Sequence, residues 1–318
     1  MKLIINIPAY NEAQVIGKTI QNIPRSYDGI DEVLIQVIDD GSHDGTADIA
    51  REAGADIVVV HKTNRKLGFA FNSAVRSALK NDADIMVNID ADGQFDSSEI
   101  SHFLTPILKG EADIVIGDRF TSGKADGIPF IKKFLNTFAA HIVGEFLDVK
   151  IDDLTCGFRS HSREALLRLN SVTGFTYTQE TIIDAIGKNL KLKWIPVNVQ
   201  YFQNRKSRIV KSVWRFVSNS TKIIIKAVRD VRPMKFFGIP GLFLIFISLI
   251  IFGFFLHLYL STFKITPYYN YLLTSTILFL IGLQFLVFAL IADMIKTNRQ
   301  LTEELMYRMR KEKYNKKS

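Results

Sequence analysis

Short apolar runs alternate with amphipathic stretches along the first 200 residues. Six runs have the length and composition of buried strands, at residues 3–7, 32–38, 57–60, 85–89, 114–117 and 193–199. The intervening stretches predict helices over residues 13–23, 97–108, 131–147 and 178–186, and two more that end near residues 53 and 79. Strands that alternate with helices in this way indicate an α/β fold with a largely parallel sheet and right-handed crossovers.

The pattern changes in the last third of the chain. Residues 236–260 and 271–295 are nearly uncharged, and each run is long enough to span a bilayer with some tilt. Residues 210–235 place apolar positions at helical spacing among Lys and Arg, as in a helix that lies in the membrane interface. A core helix is the alternative for that segment.

Charge is distributed unevenly between these regions. Residues 1–200 contain 21 Lys and Arg against 27 Asp and Glu, whereas residues 201–318 contain 19 against 5. Because the basic excess surrounds the two apolar runs, it favours an anionic membrane surface over nucleic acid as the partner. By the positive-inside rule, the first 209 residues and a solvated basic tail at 296–318 are expected in the cytoplasm.

Two further features exclude simple alternatives. The lone Cys156 excludes an internal disulfide. The apolar N-terminus is interrupted at Pro8, so it is too short for a signal peptide.

Candidate chemistry lies where strands end. Asp90 and Asp92 follow the 85–89 run, and ligands of open α/β sheets bind outside the carboxyl ends of the strands. Two nearby carboxylates repel each other, so a hard divalent ion that also binds a diphosphate would stabilise them. A loop with solvated aspartates is the alternative for this motif alone.

Other polar loops follow the neighbouring strands in the same order. They read Pro-Ala-Tyr-Asn-Glu at 8–12, Asp-Asp-Gly-Ser at 39–42, Asp-Ala-Asp-Gly-Gln at 90–94, Gly-Asp-Arg at 117–119 and Asp-Leu-Thr-Cys-Gly-Phe-Arg at 153–159. Taken together over residues 1–210, this series resembles family 2 glycosyltransferases with the GT-A fold. More narrowly, it is similar to the polyprenyl-phosphate glycosyltransferases, the group that contains dolichol-phosphate mannose synthase.

The resemblance implies a GT-A, Rossmann-like domain at 1–209, with interfacial helices and two C-terminal transmembrane helices. It assigns the nucleotide-sugar site to Pro8, Tyr10, Glu12, Ile38, Asp39, Asp40, Asp90, Ala91, Asp92, Gln94 and Arg119. Within that set, Asp90, Asp92 and Gln94 are the expected ligands of Mg²⁺ or Mn²⁺. Asp92, Asp153 and Arg119 are the expected catalytic residues, with Asp153 orienting a phosphate-binding cation or the sugar.

The expected acceptor site contains both matches and departures. Lys133 and Thr137 are the nearest equivalents of a basic residue and a Ser that family members carry before the acceptor. Relatives carry an Arg, a Gly-containing linker and Ser-Lys, whereas this chain has the shorter Arg205-Lys206-Ser207-Arg208, which leaves Arg205 and Arg208 as the two cations. The Gln-x-x-Arg-Trp signature of processive polysaccharide synthases is absent, which argues against a chain-extending enzyme.

Three functions remain open at this point. The first is inverting transfer of a hexose from a GDP- or UDP-sugar to dolichyl or undecaprenyl phosphate at the cytoplasmic membrane face. The second is a glycosyltransferase that acts on a glycolipid or a cell-surface polymer, and the third is a non-catalytic binding protein. The expected partners are the nucleotide sugar, the polyprenyl phosphate and the bilayer, without nucleic acid, and a homo-oligomer is left open.

Overall fold

The computed structural model describes residues 1–120, 130–170, 177–199, 218, 221–222, 224–225 and 228–315. The chain forms two compact units. One unit, called the catalytic unit below because it contains the expected GT-A domain, comprises residues 1–224 and 306–318. The other, the apolar unit, contains residues 225–305.

A mixed sheet forms the centre of the catalytic unit. Its strands are β1 (Lys2–Ala9), β2 (Glu32–Asp39), β3 (Ile57–Val60), β4 (Ile85–Asn88), β5 (Ile114–Asp118), β6 (Arg159–Ser162) and β7 (Leu192–Pro196). Their order is β3-β2-β1-β4-β6-β5-β7. The pairings among these seven strands are parallel except those of β6, which is antiparallel to both β4 and β5. The predicted α/β class and the largely parallel sheet are therefore confirmed.

Helices connect these strands. They are α1 (Ala13–Gln21), α2 (Thr46–Glu52), α3 (Leu67–Lys80), α4 (Ile100–Leu108), α5 (Phe130–Leu147), α6 (Arg163–Arg168) and α7 (Thr178–Gly187). Leu3, Ile4 and Ile5 of β1 are all fully buried although consecutive strand residues point to opposite faces. Both faces of the sheet are therefore covered at this central strand, which is why β1 is largely apolar in the sequence.

Two local predictions were wrong. The first strand does not end before Pro8, as the run at 3–7 predicted, but continues to Ala9. β4 pairs with β1 only as far as Asn6, so Pro8 lies beyond the last β4 partner. The strand can therefore include Pro8, because no hydrogen bond to β4 is lost when its N–H is missing. The second miss is β6, because its Arg-Ser-His-Ser sequence lacks the apolar alternation that predicts a strand.

Two long helices dominate the apolar unit. Helix α8 (Ile239–Thr262) and helix α9 (Tyr269–Lys313) are each long and apolar enough to cross a membrane. Most side chains in their apolar windows are exposed, unlike those of a soluble core helix, and this indicates membrane association. The helices approach closely at Gly241, where an added Cβ would lie 3.0 Å from the carbonyl oxygen of Gly282.

The C-terminal end of α9 belongs to the catalytic unit. Arg310 donates to the carbonyl oxygens of Leu167 at 3.2 Å and Leu169 at 2.9 Å, and to Asn170 Oδ1 at 2.8 Å. Tyr307 adds a hydrogen bond to Glu164 at 3.1 Å. The expectation of a solvated tail over residues 296–318 is therefore wrong for the end of this helix, where Tyr307 and Arg310 pack on α6 and the residues that follow it.

Candidate active site

Three loops meet at the carboxyl edge of β1, β2 and β4. Asn11 N donates to Ser42 Oγ at 2.8 Å, and Glu12 N donates to Thr46 Oγ1 at 2.9 Å, which joins the first loop to the second. Thr19 Oγ1 donates to the Ala91 carbonyl at 3.0 Å, which joins α1 to the third loop. The expected convergence of these motifs is observed, because parallel strands present their carboxyl ends at one edge.

Asp39 and Asp40 lie at this edge and accept hydrogen bonds from the residues around it. Asp40 is buried and accepts from Lys66 N at 2.7 Å, Arg65 N at 2.9 Å and His61 Nδ1 at 2.7 Å. Asp39 accepts from the backbone N–H of Ser42 at 3.0 Å. Both carboxylates therefore hold adjacent loops in place.

The other predicted donor-site residues differ in exposure. Tyr10 is exposed, and Pro8 and Glu12 are half-buried at the same edge. Ile38 is fully buried in the sheet, and Ala91 is also buried. Side-chain contact with a ligand at this edge is therefore open to Tyr10 and Glu12 but not to Ile38.

Asp90 and Asp92 lie just beyond β4. Burial raises the pKa of Asp90 well above its usual range, and the neighbouring charge of Asp92 raises it further, against the opposing effect of Arg119 and Arg159. The N–H of Gln94 donates to Asp92 Oδ1 at 3.1 Å. Two mutually destabilising carboxylates form a hard oxygen donor set, which fits Mg²⁺ or Mn²⁺.

The protein would supply only part of such a coordination sphere. Among the described residues, no group of three or more His, Cys, Asp or Glu side chains has the arrangement of a metal site. A divalent ion at Asp90 and Asp92 would therefore take its remaining ligands from Gln94, water or a bound diphosphate.

Arg119 and Asp153 form a buried ion pair. Arg119 Nε donates to Asp153 Oδ2 at 2.7 Å, and Nη2 donates to Oδ1 at 3.0 Å. Nη2 also donates to Thr155 Oγ1 at 2.6 Å, while Thr155 N and Cys156 N donate to Asp153 Oδ1. Asp153 is fully buried, so its carboxylate fixes the guanidinium of Arg119 and is not placed to accept a proton from a substrate.

Two residues of the segment after Asp153, Cys156 and Gly157, pack close to the site. Burial raises the pKa of Cys156 to about 12, so this thiol is a packing residue rather than a nucleophile. Gly157 lies against Asp90, since an added Cβ would be 3.0 Å from both carboxylate oxygens. Any larger residue at 157 would displace that carboxylate.

The predicted acceptor residues are only partly described. Lys133 and Thr137 are exposed on α5. Arg205 and Arg208 lie outside the described residues, as does half of the predicted amphipathic helix at 210–235. Within that segment, residues 218, 221–222, 224–225 and 228–235 are described, and all of them except Arg232 are helical.

Sequence reasoning missed a set of buried polar residues behind Asp90. Asn6, Gln36 and Asn88 are each 0–1% exposed, and the hydroxyl of Tyr177 reaches the same place. The sequence did contain a signal for this set, because each of three apolar strand runs includes one of these polar residues in its interior.

Comparison with known proteins agrees with this geometry. The model of glycosyl transferase family 2 matches residues 4–169, and the chain belongs to that family. It is therefore a glycosyltransferase, with a GT-A-like fold and two C-terminal candidate membrane helices.

Two curated relatives illustrate the range of similarity. The polyprenol monophosphomannose synthase of Mycolicibacterium smegmatis is 29% identical over 214 residues, which is 62% of this chain and 76% of the relative. The dolichol-phosphate mannosyltransferase of Pyrococcus furiosus is 27% identical over 252 residues, which is 76% of this chain and 69% of the relative.

A solved structure supports the fold. Glucosyl-3-phosphoglycerate synthase from Mycobacterium tuberculosis, crystallised with Mn²⁺, UDP-glucose and phosphoglyceric acid, superposes with a TM-score of 0.55. It is 21% identical, and the match covers 71% of this chain and 79% of that one.

Proposed function

We propose that this enzyme transfers a hexose from a GDP- or UDP-sugar to a polyprenyl phosphate, either dolichyl or undecaprenyl, with inversion at the anomeric carbon. The observation that carries the proposal is the Asp90–Asp92 pair at the carboxyl edge of the sheet, with the buried cation Arg119 among the charges that act on Asp90. The exposed apolar helices of the same chain favour a lipid acceptor. The two relatives described above are named as a polyprenol monophosphomannose synthase and a dolichol-phosphate mannosyltransferase.

The donor half of the mechanism is charge stabilisation. Departure of a nucleoside diphosphate builds negative charge, which a divalent ion held by Asp90, Asp92 and Gln94 would neutralise as it develops. Arg119 supplies a second positive charge whose orientation is fixed by Asp153. Tyr10, Glu12 and the loops held by Asp39 and Asp40 would surround the nucleotide.

The acceptor half needs little proton transfer. A lipid phosphate is already an anion at neutral pH, so its oxygen attacks without a strong general base, in keeping with the buried and paired state of Asp153. The chain's tasks are then to position the phosphate and exclude water. Lys133, Thr137, Arg205 and Arg208 are proposed to bind that phosphate.

The membrane arrangement is part of the same proposal. We place α8 and α9 across the bilayer, with the catalytic unit and both termini in the cytoplasm, because Lys and Arg flank the two apolar runs. A reporter fused after Ser318 should behave as cytoplasmic, and one inserted near Pro267 as external. An external C-terminal reporter would contradict this topology.

The decisive assay follows the sugar into lipid. Membranes containing the enzyme are incubated with radiolabelled GDP- and UDP-sugars and a polyprenyl phosphate, and label is measured in the organic phase. We expect transfer with at least one donor. Label that enters a glycolipid or polymer but never the polyprenyl phosphate would favour the alternative acceptor class.

Metal dependence is tested in the same assay. Chelation should abolish transfer, and Mg²⁺ or Mn²⁺ should restore it. Asp92→Asn should lower the rate on the order of a hundredfold or more, because metal stabilisation of the transition state is worth several kcal/mol. Full activity of Asp92→Asn in chelator would exclude this metal site.

A further inference from the structure

Four buried polar side chains form a row behind the active site, called the polar row below. Asn6 on β1 is in register with both Gln36 on β2 and Asn88 on β4. Gln36 Nε2 donates to Asn6 Oδ1 at 2.9 Å, and Asn6 Nδ2 donates to Asn88 Oδ1 at 2.6 Å. Asn88 Nδ2 then donates to Tyr177 Oη at 2.8 Å, so every link has the same direction.

The polar row ends on the carbonyl oxygen of Gly157. Tyr177 Oη donates to it at 3.0 Å, and Asn88 Nδ2 donates at 3.2 Å. Burial raises the pKa of Tyr177, so its hydroxyl keeps the proton that it donates. The Tyr177 ring is held by stacking on Phe71, with 4.2 Å between the ring centroids.

Gly157 connects the polar row to the proposed metal site. A Cβ on Gly157 would lie 3.0 Å from each carboxylate oxygen of Asp90, so the backbone of Gly157 forms a wall beside that carboxylate. Asp90 also follows Asn88 by two residues. The polar row therefore constrains Asp90 from two sides, through Asn88 on the same chain segment and through Gly157 on the loop beside the carboxylate.

We propose that Tyr177 is a positioning residue, which acts through Gly157 to fix the Asp90 carboxylate for the divalent ion and the donor diphosphate. This inference rests on the proposed function, in which Asp90 is a metal ligand. Burying polar side chains in a sheet costs free energy unless each is hydrogen-bonded. Apolar residues of similar size would fill the same space without that cost. A connected network instead imposes one geometry on the groups at its end.

The variant Tyr177→Phe isolates this role. It removes one hydroxyl and leaves the ring stacked on Phe71. Tyr27→Phe is the matched control, because the buried Tyr27 hydroxyl has no hydrogen-bond partner within the described chain. Both variants lose the same atom, but only the first loses a contact to Gly157.

The primary measurement is Mn²⁺ binding to the full-length, detergent-solubilised protein by electron paramagnetic resonance, in the presence of GDP or UDP. We expect Tyr177→Phe to weaken Mn²⁺ binding about tenfold or more, as found when residues that orient metal ligands are changed, and Tyr27→Phe to leave it unaltered. The kcat for sugar transfer should fall with it, while the KM for polyprenyl phosphate stays constant. Unchanged Mn²⁺ binding in Tyr177→Phe, or an equal loss in Tyr27→Phe, would overturn the proposal.

A double-mutant cycle with Gly157→Ala tests the route. Both changes act on the same carboxylate, so the combined loss in Mn²⁺ affinity should be smaller than the product of the two single losses. Independent, multiplicative losses would show that Tyr177 does not act through Gly157. If Tyr177→Phe fails to fold, Asn88→Ser removes the second donor to the same carbonyl and should give the same loss.

Failure of the inference is distinguishable from failure of the proposed function. Wild-type protein that binds Mn²⁺ and a nucleoside diphosphate but transfers no sugar to polyprenyl phosphate would refute the acceptor and leave the role of Tyr177 intact. Wild-type protein that binds no Mn²⁺ with either nucleotide would overturn the role of Tyr177.

Discussion

Large apolar side chains are buried in the catalytic unit but exposed in the apolar unit. In the catalytic unit, Leu3 and Ile5 are completely removed from solvent, whereas Leu242 and Phe243 in the apolar unit are 60% and 61% exposed. Burial against a sheet is the driving force for folding the first unit in water. An equally apolar helix with an exposed surface requires a different solvent, and a lipid bilayer supplies it.

Polar side chains show the same contrast. In the catalytic unit they bond across strands and loops far apart in sequence, as in the polar row and the Arg119–Asp153 pair. In the apolar unit, Ser248 and Ser275 donate to carbonyls of their own helices, at 2.7 Å and 2.8 Å. Long-range polar contacts therefore shape the candidate site, whereas the buried serines of the two long apolar helices only satisfy their own hydroxyls locally.

The largest effect on stability is expected from Asp153→Asn. It removes the carboxylate from a buried ion pair and leaves the Arg119 guanidinium without its counter-charge, at a cost of roughly 3–5 kcal/mol in the free energy of unfolding. Urea unfolding monitored by Trp fluorescence suits this test, since Trp194 Nε1 donates to the Asp153 carbonyl at 3.0 Å. Asp31→Asn, at an exposed ion pair, is the control and should change little. Equal stability of both variants would contradict a structural role for the pair.

A matched pair of leucine truncations tests the contrast between the units directly. Leu3→Ala should destabilise the catalytic unit by about 2–5 kcal/mol, because it leaves a cavity in the sheet core. Leu249→Ala, in exposed apolar surface of α8, should alter the unfolding of the catalytic unit by less than about 0.5 kcal/mol. The same urea titration in detergent measures both, and a large effect of Leu249→Ala would show that α8 has a core-like role.

A smaller effect is expected at the end of α9. Arg310→Ala removes three charge-assisted hydrogen bonds to the end of α6 and the residues after it, and should destabilise the catalytic unit by roughly 1.5–3 kcal/mol. Glu312→Ala removes a charged side chain from an exposed position of that helix and serves as the control. If the two variants unfold alike, the docking of residues 306–315 contributes no stability.

Local patterns were sufficient for much of the architecture. The apolar runs predicted the parallel strands, because strands covered on both faces must be apolar throughout. The two long uncharged runs predicted helices suited to a membrane, since length and composition alone set that requirement. Asp90 and Asp92 were placed at the ligand-binding edge because they directly follow a strand.

Other features depended on contacts that leave no periodic signal in the chain. β6 is polar, and its Arg159 is buried through bonds to the carbonyls of Cys156 and Thr178 rather than by an apolar pattern. The basic C-terminal segment looked solvated because charge alone does not reveal the carbonyls that Arg310 meets about 140 residues away along the chain.

The sequence by itself indicated which residues are candidates for the chemistry and which parts of the chain are apolar enough for a membrane. Only the tertiary structure decided what those residues are free to do. Asp153 and Asp90 are the same residue type in the sequence. In the structure, the Asp153 carboxylate is paired with Arg119, 34 residues away, whereas burial and the charge of Asp92 raise the pKa of Asp90. The reason is physical: the state of a carboxylate depends on the charges and donors that folding brings to it, and these come from distant parts of the chain.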